Sequence, residues 1–289
     1  MRMYEIAKEK DEQYTIYHLK DKETGSWLKV APERGGIITS FGVKGVETLF
    51  LNKKTFYDEE ANVRGGIPIL FPISGQLHDG EYEWEGTVYK MKNHGFARNL
   101  PWEVIDTNTE GQASITLRLT SSEATKNAYP FEFEVIYTYI LKNNKLQILQ
   151  EYVNRSDKEM PIYAGFHPYF ITSNKKLEYE TDAKTYRDDN DFEIKDVSDG
   201  LDLTSKIESF VLLDAEKKEI AFTLPEIDKH ITLKYGEEFK YVYLWTEQEQ
   251  GFICVEPWMA QTDEMNRKEE LYFVGKGESL KTYLNVSVQ

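Results

Sequence analysis

The chain has 289 residues, a single cysteine and a formal net charge of −15, and aromatic side chains make up 13% of it. The negative charge disfavours nucleic acid and anionic lipid as partners, and the lone cysteine excludes an intrachain disulfide framework and a thiolate metal cluster. Because the first residues lack the apolar core of a signal peptide and no run approaches the ~20 apolar residues of a membrane span, we predict a cytoplasmic protein without a membrane partner.

Strand-like segments bounded by turn residues begin near the N-terminus. Residues 14–30 predict two strands around the turn residues Asp21–Gly25, and residues 78–91 predict a hairpin around a Glu-Gly turn. Residues 52–63 are polar and predict a loop or a short helix.

The segment RGGIPILFP, residues 64–72, is apolar apart from Arg64. Its two glycines and two prolines disfavour a regular central strand, so we predict an irregular buried segment with Arg64 at its mouth. The segment NHGFAR, residues 93–98, then contains His94, one of only five histidines in the chain. A histidine beside a glycine in this context predicts a side chain delivered into a cavity.

From residue 113 onward, apolar and polar residues alternate with a period of two, which is typical of half-buried strands. Residues 113–122, 131–141 and 145–153 predict three such strands, and the last two form a hairpin. Further strands are predicted at residues 231–235, 240–248, 251–258 and 279–288. The charged region 174–215 predicts loops with short strands.

The best helix candidate is the segment 262–271, with Thr262 as its cap and acidic residues in its first turn. The sequence has no long amphipathic helix, no linker and no internal repeat with a period of about 20–50 residues. Strands recur at the spacing of an all-β sandwich. We therefore predict an all-β fold, a single antiparallel domain over residues 1–289 with few short helices.

Three stretches carry side chains suited to chemistry: NHGFAR, then GFHPYF at residues 165–170, then CVEPW at residues 254–258. His167 lies in an apolar stretch, where burial lowers the pKa of a histidine and keeps it neutral unless a carboxylate is near. Glu256 also has apolar neighbours, and burial there would raise its pKa toward that of a useful general base. Trp258 is the aromatic residue next to this candidate base. We expect the three stretches to converge on one pocket.

Two arginines stand out in so acidic a chain. Arg64 precedes two glycines, which would let the backbone approach a ligand closely. Arg98 follows His94 by four positions and is either a surface strand residue or an anion-binding group. Together the two guanidinium groups would suit a phosphate dianion, which arginine binds in a bidentate manner.

Several common catalytic motifs are missing. The sequence contains no Walker-type loop, no GxSxG, no GxGxxG after a strand and no HExxH. A metal site built from His94, His167 and Glu256 stays open, because two histidines and a glutamate form a known metal-binding set.

The order of the motifs resembles that of the aldose 1-epimerase (galactose mutarotase-like) superfamily. RGGIPILFP, HGFAR, GFHPYF and VEPW follow one another 30 to 90 residues apart after an early PERGG, and the likeness spans residues 10–289. Within the superfamily the sequence is most similar to the LacX-like and hexose-6-phosphate mutarotase branches. The resemblance implies a β-supersandwich and a cofactor-free mutarotase. We also expect no metal at the site.

The same resemblance implies roles for individual residues. Glu256 matches the family's base, and His167 matches its acid. His94 matches a second histidine that contacts the sugar, and Arg64 matches the family's arginine. The galactose enzymes carry a longer first-histidine region where this chain has HGFAR, which weakens any transfer of galactose specificity from the resemblance.

Three functions stay open. The first is an aldose 1-epimerase that interconverts the anomers of a free hexose, and the second is a hexose-6-phosphate 1-epimerase that binds phosphate through Arg64 and Arg98. The third is a non-catalytic carbohydrate-binding protein on the same fold, which the presence of both histidines and Glu256 disfavours. We expect a sugar or sugar phosphate as the partner, and a monomer or homodimer.

Overall fold

A computed structural model describes residues 3–289 of the chain, so the first two residues of the predicted 1–289 domain lie outside the described part. The strands are β1 (Tyr4–Asp11), β2 (Tyr14–Asp21), β3 (Ser26–Ala31), β4 (Ile37–Val43), β5 (Val46–Glu47), β6 (Ile69–Leu70), β7 (Glu81–Trp84), β8 (Thr87–Lys90), β9 (Glu103–Asn108), β10 (Ala113–Thr120), β11 (Phe133–Lys142), β12 (Lys145–Asn154), β13 (Met160–Ile162), β14 (Gly165–Phe166), β15 (Tyr169–Ile171), β16 (Tyr179–Glu180), β17 (Thr185–Asp188), β18 (Glu193–Asp196), β19 (Phe210–Leu212), β20 (Glu219–Leu224), β21 (Lys229–Tyr235), β22 (Tyr241–Trp245), β23 (Phe252–Trp258), β24 (Tyr272–Val274) and β25 (Ser279–Val288). The α-helices within residues 3–289 are α1 (Lys53–Tyr57), α2 (Glu123–Lys126) and α3 (Glu264–Arg267), and short 3-10 turns span His78–Gly80, Ala97–Asn99 and Val197–Asp199.

Three antiparallel sheets make up most of the molecule. Sheet I has the order β1-β2-β3-β4-β5, and sheet II has the order β16-β20-β21-β25-β12-β11-β10-β9. Sheet III has the order β18-β17-β19-β22-β23-β14-β6, with β15 also paired to β23. One hydrophobic core contains buried residues from all three sheets, among them Phe41, Ile115 and Val255. The predicted all-β, antiparallel architecture with few short helices is confirmed.

Strand β23 shows how the alternation of side chains positions the functional face. Successive side chains of a strand point to opposite faces of the sheet. Ile253 and Val255 accordingly belong to the main core, whereas Cys254 and Trp258 belong to small clusters on the other face. Glu256 lies between these last two on the same face, and this face lines a cavity.

Most local predictions are confirmed, including the hairpins, the irregular buried segment and a short helix within residues 52–63. The predicted cap of the last helix is wrong. Helix α3 begins at Glu264, its N-cap is Asp263 at φ 65°, and no side chain caps it. Thr262 instead donates its hydroxyl to the carbonyl of Gln76 at 2.7 Å and accepts the Gln76 N–H at 3.0 Å. This tertiary contact uses the oxygen that a cap would need. No helix within residues 3–289 is long and apolar enough to span a bilayer.

A close backbone contact joins the connection between β3 and β4 to the NHGFAR segment. Gly35 has φ 72°, and a Cβ atom there would lie 2.1 Å from the carbonyl oxygen of Arg98. A second backbone contact joins the same two regions, because the Trp102 N–H donates to the Pro32 carbonyl at 2.9 Å. Only glycine combines this conformation with so close an approach.

We expect Gly35→Ala to destabilise the protein more than Gly45→Ala does. Both glycines have positive φ, so both variants carry the left-handed strain of about 1–2 kcal/mol. Gly45 has no atom within 4 Å of the added Cβ, whereas the overlap at Gly35 adds about 1–3 kcal/mol. Urea unfolding of the two variants measures the difference, and equal free energies of unfolding would refute the contact.

Candidate active site

A cavity of about 360 Å³ opens on the face of sheet III that carries Glu256. It is lined by Arg64, Gly75, Gln76, Asn93, His94, His167, Asp189, Ile207, Glu208, Ser209, Tyr243, Trp245, Glu256, Trp258 and Thr262. Five of the six residues singled out from the sequence therefore meet here, and Arg98 is the exception. A volume of this size lies in the range of small-molecule sites.

Glu256 lies in the middle of β23, paired in register with Tyr243 on β22. Its side chain is 2% exposed, and its Oε2 atom has no hydrogen-bond partner in the described chain. Burial disfavours the ionised form and raises the pKa of this carboxyl well above its usual range. The indole of Trp258 and, after it, the guanidinium groups of Arg98 and Arg64 act in the opposite direction.

His167 directly follows β14 and lies beside Glu256. Its Nδ1 atom is 3.4 Å from Oε1 of Glu256, and the imidazole stacks on the ring of Tyr169 with centroids 4.7 Å apart. Burial lowers the pKa of His167 well below its usual range, and the positive charges of Arg98 and Arg64 lower it further. A buried carboxyl and a buried imidazole are thus in contact on one wall of the cavity.

His94 occupies a left-handed backbone conformation, at φ 64°, that presents its ring to the cavity. Two hydrogen bonds of 2.8 Å fix it to Gly75: the His94 N–H donates to the Gly75 carbonyl, and the Gly75 N–H donates to Nδ1 of His94. Because Nδ1 accepts a hydrogen bond, the neutral ring carries its proton on Nε2. Burial, together with the charge of Arg98, lowers the pKa of His94 and keeps the ring neutral.

Two tryptophans line the cavity. The indole of Trp258 stacks on Tyr243 with centroids 3.7 Å apart and meets the ring of His94 edge-on at 5.4 Å. Trp245 lies edge-on to His167 at 5.8 Å. These flat surfaces suit the apolar face of a pyranose ring.

The two arginines occupy different places. Arg64 lies on the cavity wall, 5.3 Å from the ring centroid of Trp245, with its Nε atom 3.4 Å from Oε2 of Glu247. Arg98 is buried: its Nη2 atom donates to the Asn93 carbonyl at 2.8 Å, and its Nε atom has no partner in the described chain. Burial lowers the pKa of Arg98 to about 10. Arg98 therefore acts on the site as a buried positive charge and not as part of the cavity wall.

Asp189 is a cavity residue that the sequence did not reveal. It directly follows β17, where its backbone N–H donates to the Ser209 carbonyl at 2.9 Å. The Nε atom of Arg187 donates to Oδ1 of Asp189 at 2.5 Å. In the sequence this aspartate looks like its many acidic neighbours. The pairing of β17 with β19 brings it to the cavity, and that pairing is not visible in the sequence.

Within residues 3–289, one group of side chains could hold a metal ion. An imidazole nitrogen of His167, the thiol sulfur of Cys254 and a carboxylate oxygen of Glu256 lie within 4.8 Å of one another. This group differs from the sequence-based alternative, since Cys254 takes the place of His94. The Nδ1 atom of His94 accepts from Gly75, so the neutral ring carries its proton on Nε2 and offers a metal no free lone pair.

Comparisons with known proteins place the chain in a family. Residues 17–287 match the family model described as aldose 1-epimerase. The crystal structure of the Slr1438 protein from Synechocystis sp. PCC 6803 is 34% identical, covers 99% of both chains and superposes with a TM-score of 0.92. A galactose mutarotase-like protein from Clostridium acetobutylicum is 17% identical over 100% of this chain and 99% of that chain, with a TM-score of 0.82, and shares the fold.

A curated relative matches over a shorter stretch. The protein named "Putative glucose-6-phosphate 1-epimerase" from Salmonella typhimurium is 33% identical over 93 residues. That match covers 31% of this chain and 28% of the relative. The family match over residues 17–287 is the broader finding, and the chain belongs to the aldose 1-epimerase family, a family of isomerase-type enzymes.

The hydrogen bond to Gly75 predicts the tautomer of His94. We expect ¹⁵N NMR to show an unprotonated Nδ1 and a protonated Nε2, with no change as the pH falls through 6.5, because burial disfavours the imidazolium. The spectrum of the variant His94→Asn identifies the His94 signals, because they are absent from it. Protonation of His94 near pH 6.5, or a proton on Nδ1, would contradict this geometry.

Proposed function

We propose that the protein is a mutarotase that interconverts the α and β anomers of a hexose by opening and closing the pyranose ring. The observation that carries the proposal is the buried contact of 3.4 Å between His167 and Glu256 on the wall of a sugar-sized cavity. The reaction needs one group that accepts a proton and one that donates a proton, both close to the anomeric centre. Family membership agrees with this chemistry.

In the proposed reaction, Glu256 begins as the carboxylate and His167 as the imidazolium. Glu256 removes the proton of the anomeric hydroxyl while His167 protonates the ring oxygen, and the bond between C1 and that oxygen breaks. The product is the open-chain aldehyde, and rotation about its C1–C2 bond presents the other face. Closure reverses both transfers, so no net proton is gained or lost and no cofactor takes part.

Burial favours the protonation state that Glu256 and His167 reach once the sugar ring has opened. After ring opening Glu256 is a carboxylic acid and His167 a neutral imidazole, the forms favoured by a raised carboxyl pKa and a lowered imidazole pKa. The positive charges of Arg98 and Arg64 favour the carboxylate instead. The same two charges disfavour the imidazolium of His167, so they favour the carboxylate and the neutral imidazole at once.

His94 and Arg98 support the pair in different ways. His94 offers Nε2–H as a neutral donor, which stabilises the charge that develops on a sugar oxygen during ring opening. Arg98, which lies outside the cavity wall, helps burial to keep His94 neutral, because an imidazolium beside a guanidinium is unfavourable. We propose that Arg64, Asp189 and Trp258 bind the sugar, since all three line the cavity.

Hexose 6-phosphate is a second candidate substrate. Arg64 is a half-exposed cation on the cavity wall, and guanidinium groups bind phosphate well. The name of the Salmonella relative also favours a phosphorylated hexose. Against it stand the acidic neighbours Glu208 and Glu247, and the position of Arg98 outside the cavity wall. A phosphate site would therefore depend on Arg64 alone.

We expect Glu256→Gln and His167→Asn each to lower kcat for anomer exchange by about 10²–10⁴-fold, because each removes one of the two proton-transfer groups. NMR saturation transfer on glucose and galactose measures the exchange, and circular dichroism confirms folding.

The matched control is Glu247→Gln, which changes a carboxylate close to the site but outside the pair. Near-normal turnover in Glu256→Gln would remove Glu256 from the proposed role. A wild type that binds hexoses without accelerating exchange would indicate a non-catalytic carbohydrate-binding protein.

Arg64 and Glu247 offer a test of the phosphate alternative. If Arg64 binds phosphate, Arg64→Gln raises KM for glucose 6-phosphate by about tenfold or more, as expected for a lost charged hydrogen bond. Glu247→Gln lowers that KM, because Arg64 loses its competing carboxylate. KM for glucose, which Arg64 also contacts in the proposal, changes by a smaller factor in both variants. Equal effects on both substrates would contradict a phosphate site at Arg64.

A further inference from the structure

The single thiol of the chain lies beside the proposed catalytic pair. Cys254 and Glu256 are two positions apart on β23 and so project to the same face, and Cys254 pairs in register with Tyr169. The imidazole of His167 stacks on that same tyrosine. An imidazole nitrogen, the thiol sulfur and a carboxylate oxygen thus lie within 4.8 Å of one another.

Two of the three side chains have buried polar atoms that the protein leaves unsatisfied. His167 Nδ1 and Glu256 Oε2 have no hydrogen-bond partner in the described chain, and the two side chains are 5% and 2% exposed. A buried polar atom without a partner is unfavourable, so a ligand that supplies one gains free energy. Both residues also line the cavity, which gives an ion a route to the thiol behind them.

The donor set selects one class of ion. One nitrogen, one sulfur and one carboxylate oxygen are ligands that Zn²⁺ and its softer analogue Cd²⁺ accept, with the fourth position open to the cavity. Mg²⁺ and Ca²⁺ prefer six or more oxygen ligands, and this group offers one carboxylate. Tetrahedral coordination by Zn²⁺ places neighbouring ligand atoms roughly 3.5 Å apart, so small side-chain rotations close the site.

The charge of the complex also fits its surroundings. Cys254 binds as the thiolate and His167 as the neutral imidazole, so the thiol and any imidazolium give their protons to solvent. Thiolate and carboxylate together then neutralise a divalent cation. A complex of zero net charge adds no positive charge beside Arg64 and Arg98. A set of neutral ligands would instead leave an uncompensated dication in a buried place.

We propose that His167, Cys254 and Glu256 form an inhibitory binding site for Zn²⁺ and the related ion Cd²⁺. A bound ion occupies the lone pairs through which His167 and Glu256 exchange protons with the sugar, so it stops the reaction while it is bound. The inhibition rests on the proposed function, whereas the binding does not.

The test is a titration of the reduced, metal-free protein with Cd²⁺, followed by the thiolate-to-cadmium absorption in the ultraviolet. We expect one ion per chain with a thiolate band, loss of anomer exchange in parallel with binding, and no inhibition by Mg²⁺. Cys254→Ala removes the band, weakens binding of Zn²⁺ and Cd²⁺ by at least about tenfold and leaves uninhibited turnover near that of the wild type.

Two further variants complete the design. His18→Asn removes a partly buried histidine outside the site, with its Nδ1 atom 3.0 Å from Oε1 of Glu9, and it is expected to leave the affinity for Cd²⁺ unchanged. Glu256→Gln keeps the thiol, and its affinity for Cd²⁺ is expected to fall, which supports the site even if Cys254→Ala folds poorly.

The outcomes separate the two proposals. A thiolate band in a protein without mutarotase activity supports the metal site and counts against the proposed function. Active protein without a thiolate band, or equal affinity in Cys254→Ala and wild type, overturns the metal site.

Discussion

The contact between Glu256 and His167 is the interaction on which the site depends. Both groups are buried, and burial alone drives both toward their neutral forms. Two arginines, one on the cavity wall and one behind it, oppose this effect for the carboxyl. For the imidazole of His167 the same two charges add to the effect of burial, so its surroundings favour the neutral form.

The sequence predicted the fold well because the information was local. Period-two alternation marks the long strands β10, β11, β12 and β25, and turn residues mark the hairpins. Strands β1, β9 and β20 were not predicted, since charged or mixed residues interrupt their alternation. The failed cap at Thr262 has a different cause, because a distant loop uses its hydroxyl.

The site was predicted in part. Glu256, His167, His94, Arg64 and Trp258 were found because uncommon or charged residues stood in apolar or glycine-rich stretches, and all five line the cavity. Asp189 was missed because an aspartate in an acidic loop carries no local signal. The buried place of Arg98 and the nearness of Cys254 to His167 depend on which strands are neighbours, and composition does not determine that.

The alternation of side chains along β23 has an evolutionary consequence. In β23, core residues and cavity residues alternate one by one, so a single inserted or deleted residue would bury Glu256 in the core and expose Val255 in its place. Changes of length within this strand are therefore unfavourable. The loop residues at the rim, such as Asp189, Ile207 and Glu247, face no such restriction. Substrate preference can diverge there among related proteins, while the proton-transfer pair stays in register.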